Sequence, residues 1–184
     1  MSTVEIARPT NTRSNRGIEI QSPVVDDGVE LWRLASESKV LDVNSRYAYL
    51  LWCRDFADTT VIARREGSEE PALGFVTGYR RPEVPDTLFV WQVAVDERAR
   101  GEGLAGRMLD SLVEGAEDVH HLETTITPDN EASIALFTKF AERWGAEVER
   151  KQLFDEELLG DDHLPENRFR IGPFRTKGRL RSAS

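Results

Sequence analysis

The sequence has a single cysteine, no long apolar run and no excess of basic residues, and each of these absences excludes a class of protein. Cys53 alone cannot form an internal disulfide, which excludes a secreted scaffold held together by disulfides. No run of about 18 apolar residues is present and the first 25 residues are mostly polar, so we expect neither a transmembrane helix nor a secretory signal. The 33 acidic residues outnumber the 24 basic ones and give a net charge of −9, which argues against a nucleic-acid-binding protein. We therefore expect a cytoplasmic protein that acts on neither membranes nor nucleic acid.

The charge is distributed unevenly along the 184 residues. Residues 168–184 hold six basic side chains and no acidic one, whereas residues 23–167 carry a net charge of −16. An acidic body attracts cationic ligands by Coulomb interaction, and it also keeps a protein soluble at high concentration or in high salt. The sequence leaves both interpretations open.

Apolar runs of strand type alternate with segments of helical periodicity, which predicts an α/β fold. We expect a disordered lead over residues 1–16, one domain over residues 17–172 and a disordered basic tail over residues 173–184. The predicted strands cover residues 17–22, 59–65, 72–79, 87–95, 122–127, 147–154 and 168–171, and the predicted helices cover residues 28–38, 45–56, 103–116 and 130–144. The nearly apolar segment 87–95 is expected to be the central buried strand.

A glycine-rich turn follows this central strand and opens the next helix. Gly101, Gly103 and Gly106 allow a close approach of backbone N–H groups to a ligand, and the helix N-terminus adds positive potential, so the turn suits a phosphate group. The three glycines also match the dinucleotide-binding pattern. We reject that interpretation because five mostly charged residues, Asp96–Arg100, separate the strand from the first glycine.

Arg98, Gly101 and Gly103 match the pattern Gln/Arg-x-x-Gly-x-Gly/Ala, and this segment resembles the acyl-CoA pyrophosphate loop of the GNAT superfamily of N-acetyltransferases. The resemblance implies an α/β (α+β-like) fold with a mixed central sheet flanked by about four helices. It also implies acetyl-CoA as co-substrate and no metal. The cofactor-binding residues that it implies are Val93, Val95, Arg98, Arg100, Gly101, Gly103, Ala105 and Asn130.

Two positions on the following helix have alternative interpretations. Asn130 stands where the superfamily places a contact to the pantetheine arm, and it is also a good helix N-cap. Phe137 stands where the superfamily often has a tyrosine that protonates the departing thiolate. A phenylalanine cannot donate that proton, so the thiol, with a pKa near ~8.5, is expected to leave as the thiolate or to use an undefined donor.

Three longer segments, 41–50, 88–95 and 122–130, are similar to the diaminobutyrate acetyltransferases within this superfamily, and the likeness extends over residues 28–171. The resemblance implies acetylation of the γ-amine of L-2,4-diaminobutyrate, a step of ectoine synthesis in the bacterial cytoplasm under osmotic stress, by a homodimer. The alternative is another small amine, such as a polyamine or an antibiotic amine. A rival from a different class is a non-catalytic acyl-CoA sensor, against which the acidic residues of the implied amine pocket argue.

The resemblance implies an acceptor pocket with five members: Asp42, Tyr47, Trp91, His163 and Glu166. Asp42 is also explained as part of a helix cap, and Tyr47 and Trp91 are also explained as core aromatics. Glu166 and Asp42 are the candidate catalytic residues, since the γ-ammonium has a pKa near ~10 and must lose a proton before it attacks. Backbone N–H groups from Val93 to Val95 are expected to hold the developing oxyanion.

Residues 155–166 form a segment with six acidic side chains and no Lys or Arg, which predicts either a solvated flap or a lid over a cationic substrate. His163, when protonated, is suited to bind the carboxylate of the substrate. Asp161, Asp162, His163 and Glu166 also resemble metal ligands, but no pair of cysteines and no set of several histidines accompanies them, so we expect no metal.

Overall fold

The computed structural model describes residues 17–160 and 163–174, which form one seven-stranded mixed sheet with helices on both faces. The strands are β1 (Ile18–Gln21), β2 (Thr60–Arg65), β3 (Gly74–Arg81), β4 (Val84–Val95), β5 (His121–Ile126), β6 (Val148–Phe154) and β7 (Glu166–Ile171). The helices are α1 (Gly28–Ser38), α2 (Arg46–Asp55), α3 (Leu104–Gly115), α4 (Glu131–Trp144) and the short α5 (Glu156–Leu159). The expected α/β fold with a mixed sheet and four main helices is confirmed. The proposed lead over residues 1–16 and most of the proposed tail, residues 175–184, lie outside the described residues.

The sheet has the strand order β1-β2-β3-β4-β5-β7-β6. The first four strands form an antiparallel meander, and β7 inserts between β5 and β6, antiparallel to both. The single parallel pairing, between β4 and β5, covers only Thr87–Phe89 opposite His121–Glu123. Beyond it, the Thr124 hydroxyl donates to the Val90 carbonyl and the two strands separate. A cleft can therefore form at the centre of the sheet, at the carboxyl end of β4.

Each face of the sheet has its own hydrophobic core. The helices α3 and α4 cover one face, where the apolar rows of α3 (Leu104, Met108 and Leu112, with Leu109 and Val113) are all buried, as their spacing predicts. The helices α1 and α2 cover the first strands on the other face. Every residue of β6, at the edge of the sheet, is exposed. Among the described residues, the two cores therefore stop short of this edge strand.

Three details differ from the sequence-based predictions. The buried residues of α2 are Tyr49 and Cys53 rather than Tyr47, which is 68% exposed. Tyr49 can be buried because its hydroxyl donates to Gln92 Oε1 at 3.1 Å. The strand β4 begins at Val84, before Pro85, rather than at Thr87. Phe174, which belongs to the predicted tail, is 2% exposed and packs against Phe140 and Trp144, so the hydrophobic core extends past residue 172.

Among the helices that the structure describes, none combines the length and the apolarity needed to cross a bilayer.

Candidate active site

The cleft between the separated strands contains a cavity of about 840 Å³. It lies between the end of β4, the first turns of α3 and α4, and the loop that joins α1 to α2. Its lining is mostly apolar or small, with a few polar groups from the start of α4. The lining residues are Val40, Leu41, Val93, Val95, Ala105, Thr127, Asp129, Asn130, Glu131, Ala132, Ser133 and Leu136.

The backbone of β4 presents two amides to this cleft. The N–H groups of Gln92 and Asp96 point toward β3, since they donate to Thr77 Oγ1 at 3.2 Å and to the Leu73 carbonyl at 2.8 Å. Because N–H direction alternates along a strand, the amides of Val93 and Val95 point away from β3, toward the cleft. Two parallel donors on one strand edge can stabilise negative charge on a carbonyl oxygen.

The glycine-rich turn borders a second cavity, of about 460 Å³, that continues from the first. Gly101 and Gly103 have φ angles of +81° and +70°, which disfavour any side chain, and a Cβ atom at either position would meet no atom within 4 Å. The helix α3 begins directly after Gly103, so its free N–H groups and the positive end of its dipole face this space. Arg100, Gly101, Gly103 and Ala105, all predicted to bind cofactor, line this cavity. The donor set fits a pyrophosphate.

The side chain of Arg98 is directed elsewhere. Its Nε and Nη2 atoms donate to the two carboxylate oxygens of Asp96 at 2.9 and 2.8 Å, and Arg33 adds a contact to the same carboxylate. Hydrogen bonds from Arg98 hold the pKa of Asp96 far below its usual range. Arg98 lines a separate cavity on the α1 side of the turn and does not line the cavity beside Gly101. In this structure its guanidinium therefore braces the turn.

The loop between α1 and α2 carries Asp42 and is fastened to β4 by one buried glutamine. Gln92 is 4% exposed, and its Nε2 atom donates to the Asp42 carbonyl at 2.9 Å. Its Oε1 atom accepts the hydroxyl proton of Tyr49. The carboxylate of Asp42 remains exposed. Gln92 thereby fixes the height of the Asp42 loop above the sheet.

Glu166 is the first residue of β7. Asp42, His163 and Thr125 are close enough to shift the pKa of its carboxyl group. Its Oε2 atom is buried and has no hydrogen-bond partner among the described residues. Burial is the largest cause that raises the pKa of Glu166, and the charge of Asp42 raises it further. The nearby Thr125 side chain and the charge of His163 lower the pKa of Glu166 and so act in the opposite direction. The fold thus brings Asp42 within electrostatic range of Glu166, although more than 100 residues separate it from His163 and Glu166 in the sequence.

Trp91 faces α2 because of an irregularity in β4. The register between β3 and β4 shifts between Thr77 and Gly78, so that Trp91 has no direct partner. As a result both Trp91 and Gln92 point to the α2 side, where Trp91 stacks on Trp52 with a centroid distance of 4.5 Å. Trp91 remains 38% exposed, so it forms a surface wall rather than a core indole.

Tyr47 lies in the first turn of α2 and is 68% exposed. Its phenol lies within electrostatic range of Arg54, near the other end of the same helix. No hydrogen bond joins its side chain to the described Asp42, Trp91 or Glu166. The chain alone therefore does not assemble Tyr47 with the other members of the set.

The structure shows where α4 places Asn130 and Phe137, the two residues with alternative interpretations. Asn130 is the N-cap of α4, where its side chain accepts from the Ser133 amide at 3.0 Å, and it also lines the cleft. Phe137 is 3% exposed in the core beneath α4. It is absent from the cleft lining as well as unable to donate a proton.

The acidic segment folds in part into α5, capped by Asp155, and His163 is exposed. Asp161 and Asp162 lie outside the described residues. Within residues 17–160 and 163–174, no group of three or more His, Cys, Asp or Glu side chains is placed to hold a metal ion. Cys53 is buried, and burial raises the pKa of its thiol to about 12, so it is a protonated core residue.

Sequence reasoning missed two residues of the site, Gln92 and Thr125. Gln92 is a polar residue within a run of apolar strand residues, and a buried amide needs partners, which is a signal that could have found it. Thr125 alternates with Thr124 along β5, but its face and its proximity to Glu166 follow from the pairing of β5 with β7, which the sequence does not specify.

Comparison with known proteins places these observations in context. The sequence model of the Acetyltransferase (GNAT) family matches residues 27–141. An L-2,4-diaminobutyric acid acetyltransferase from Streptomyces anulatus is 53% identical over 163 residues, which are 86% of this chain and 92% of that protein. The protein of the same name from Halomonas elongata is 48% identical over 159 residues, 85% of this chain and 82% of its own. A solved structure of the diaminobutyrate acetyltransferase EctA from Paenibacillus lautus, in complex with L-2,4-diaminobutyric acid and coenzyme A, has a TM-score of 0.81 at 36% identity, and the match covers 88% of this chain and 98% of that chain.

Proposed function

Since this chain belongs to the GNAT acetyltransferase family, and within it to the diaminobutyric acid acetyltransferases, we propose that it transfers acetyl from acetyl-CoA to the γ-amine of L-2,4-diaminobutyrate. The products are N4-acetyl-L-2,4-diaminobutyrate and CoA, and the reaction is the acetylating step of ectoine synthesis. The observation that carries the proposal is the 53% identity over 86% of the chain. The geometry supports it, because the central cavity adjoins the cavity beside the glycine-rich turn, and the carboxylates of Asp42 and Glu166 lie within electrostatic range of each other.

Acetyl-CoA is proposed to occupy the two continuous cavities. The N–H groups of the Arg100–Leu104 turn and the start of α3 would hold its pyrophosphate. The apolar surface of Val93, Val95 and Leu136 would hold the pantetheine arm, with Asn130 at the start of α4 beside it. The cofactor supplies an activated acetyl thioester, and the amides of Val93 and Val95 are suited to hold the oxyanion that develops on its carbonyl.

The acceptor is proposed to bind where Asp42, His163 and Glu166 meet, against the exposed edge of Trp91. Asp42 has a free carboxylate to pair with the α-ammonium, and His163 in its protonated form is suited to the substrate carboxylate. Glu166 is proposed as the general base, acting directly or through a water molecule. Its raised pKa brings it closer to that of the ammonium and improves proton transfer.

The proposed transfer is direct, within a ternary complex. Glu166 accepts one proton from the γ-ammonium, and the neutral amine forms a C–N bond to the acetyl carbonyl carbon. The attacking nitrogen then releases its second proton to solvent, and the C–S bond breaks with its electron pair on sulfur, which leaves the amide. CoA leaves as the thiolate, which is accessible because the thiol pKa is near ~8.5. Cys53 takes no part, since its buried thiol remains protonated.

A substrate panel tests the proposal. We expect kcat/KM for L-2,4-diaminobutyrate to exceed that for lysine, ornithine and spermidine by at least roughly 100-fold, because a site with fixed charges at both ends rejects a wrong amine spacing. Release of the CoA thiol gives the rates, and NMR of the product shows whether the γ-nitrogen carries the acetyl group. Comparable rates on all four amines would instead favour a general small-amine acetyltransferase. Tight CoA binding without transfer to any amine would favour an acyl-CoA sensor.

We further propose that the enzyme is a cytoplasmic homodimer that works under osmotic stress. The resemblance to the diaminobutyrate acetyltransferases motivates all three points. The edge strand β6 supports the dimer, because its Val148, Leu153 and Phe154 are 40%, 42% and 40% exposed. Although the middle of β6 is charged, exposed apolar side chains at both ends of an edge strand are suited to contact with another chain.

A further inference from the structure

Along the face of α4 that borders the cleft, the side chains change from small and apolar to basic. Ala132 and Leu136 line both the central cavity and the cavity beside the glycine-rich turn. Lys139 and Arg143, one and two helical turns further on, line only the second cavity. The surface is therefore small and apolar near β4 and basic at the outer end, beside the first turn of α3.

The basic residues around this outer cavity differ in how far they are already paired. Arg143 donates to both carboxylate oxygens of Asp110 at 3.0 and 2.9 Å, so its charge is compensated. Lys139 is exposed and makes no ion pair or side-chain hydrogen bond with any described residue. The guanidinium of Arg100, at the other side of the cavity, is likewise free of such contacts within residues 17–160 and 163–174. Two uncompensated cations therefore face one cavity in a chain whose net charge is −9.

We propose that Lys139 binds the 3′-phosphate of CoA, an inference that rests on acetyl-CoA being the co-substrate. The order of chemical groups along the stripe matches the order along the ligand: an apolar arm, then a pyrophosphate, then a separate phosphate at the far end. The amides of the turn and the Arg100 side chain serve the pyrophosphate next to α3. Lys139 lies beyond Leu136 on the opposite wall, where the outermost phosphate of a ligand threaded through both cavities arrives. A flexible ammonium is suited to such a point charge.

The cavity on the α1 side of the turn provides a matched comparison. Lys39 lines that cavity and is also without an ion pair among the described residues, but the cavity shares only Val95 with the central cleft. The cavity of Lys139 shares Val95, Ala105, Ala132 and Leu136 with it. Although Arg100 borders both outer cavities, the one with the broad connection to the central cleft is therefore the cavity of Lys139.

Calorimetric titration of the full-length protein with CoA and with 3′-dephospho-CoA tests this assignment. We expect Lys139→Ala to weaken CoA binding by roughly 5- to 10-fold, an effect reduced by solvent exposure, and to leave 3′-dephospho-CoA binding almost unchanged. Lys139→Arg is expected to retain most of the affinity, and Lys39→Ala all of it. With diaminobutyrate saturating, Lys139→Ala should raise KM for acetyl-CoA and leave kcat unchanged.

Two outcomes would overturn the assignment. An equal loss of affinity for both ligands would place Lys139 on the pyrophosphate, and no loss for either would remove it from the cofactor site. Lys139 has no partner to lose within the described chain, so the variant is expected to keep the wild-type melting temperature. Failure of the wild-type protein to bind CoA or to acetylate diaminobutyrate would contradict the proposed function itself, which is a separate result.

Discussion

At the scale of single residues, the surroundings of Glu166 raise the pKa of its carboxyl group. Its carboxyl is half-buried with one oxygen unpartnered, and the charge of Asp42 opposes its ionisation. Because folding raises its pKa, Glu166 contributes most to stability at pH below its unfolded pKa, and that contribution is lost as the pH rises through the folded pKa. Burial and the charge of Asp42 thus disfavour the carboxylate form of Glu166 in the folded state, and a pKa raised in this way is a common property of a catalytic base.

Replacing Glu166 by glutamine should separate catalysis from stability. We expect Glu166→Gln to lower kcat/KM for diaminobutyrate by about 10²-fold or more, because proton removal from the ammonium loses its acceptor. The Kd for CoA should not change, and Tm at neutral pH should be equal or higher, since a disfavoured charge has been removed. Steady-state kinetics, calorimetry and thermal melts measure the three quantities.

The matched control is Glu157→Gln, in the exposed acidic helix α5, which should leave kcat/KM within about twofold, since a solvated surface charge adds little. In the wild type, kcat/KM should fall on acidification at a pH above the ordinary glutamate range. An equal loss in both variants would attribute the effect to the general charge of the segment, and an unchanged Glu166→Gln enzyme would exclude Glu166 from the reaction.

At the scale of elements, the turn between β4 and α3 requires glycine for its shape. Gly103 is the N-cap of α3 with a φ of +70°, and it positions the first N–H groups of the helix toward the cavity. Any side chain there costs backbone strain of roughly 1–2 kcal/mol, and relief of that strain would turn the N–H groups away. The loop that carries Asp42 is held in position differently, because the Gln92 side chain donates a hydrogen bond to the Asp42 carbonyl.

A pair of glycine variants distinguishes strain from ligand binding. We expect Gly103→Ala to lower the free energy of unfolding by roughly 1–2 kcal/mol and to weaken CoA binding by about tenfold. Gly145 ends α4 with a φ of +59° and also has open space around it, so Gly145→Ala should lower stability similarly without a change in CoA affinity. Chemical denaturation and calorimetry give both values. Equal CoA affinities in the two variants would contradict the assignment of the turn to the pyrophosphate.

At the scale of the whole molecule, the half of the sheet formed by β5, β7 and β6 ends in an exposed edge strand. The segment that carries His163 and Glu166 connects β6 to β7 at this same end. A second subunit that covered β6 would therefore also restrain the acceptor pocket.

A single charge on the edge strand should test the dimer. We expect the wild-type protein to elute as a dimer in size-exclusion chromatography with light scattering, and Phe154→Lys to shift it toward the monomer, because a charge would be buried at the contact. Val29→Lys, at a residue of α1 that is 45% exposed, should remain dimeric. A dimer that persists in Phe154→Lys would exclude β6 as the contact, and a monomeric wild type would exclude the dimer.

The sequence by itself determined the order of strands and helices, the glycine-rich turn and the capped start of α4, because each depends on local periodicity or on a residue that only one backbone conformation favours. It also determined the family, through segments such as 88–95 that carry both the central strand and the cleft lining. Only the tertiary structure decided that β7 lies between β5 and β6, which places Glu166 beside Thr125 and within range of Asp42. It likewise decided that Arg98 pairs with Asp96 rather than facing the glycine-rich cavity. The first contact depends on the order of strands in the sheet, and the second depends on which charged side chains the fold places side by side. Residue spacing along the chain determines neither of these.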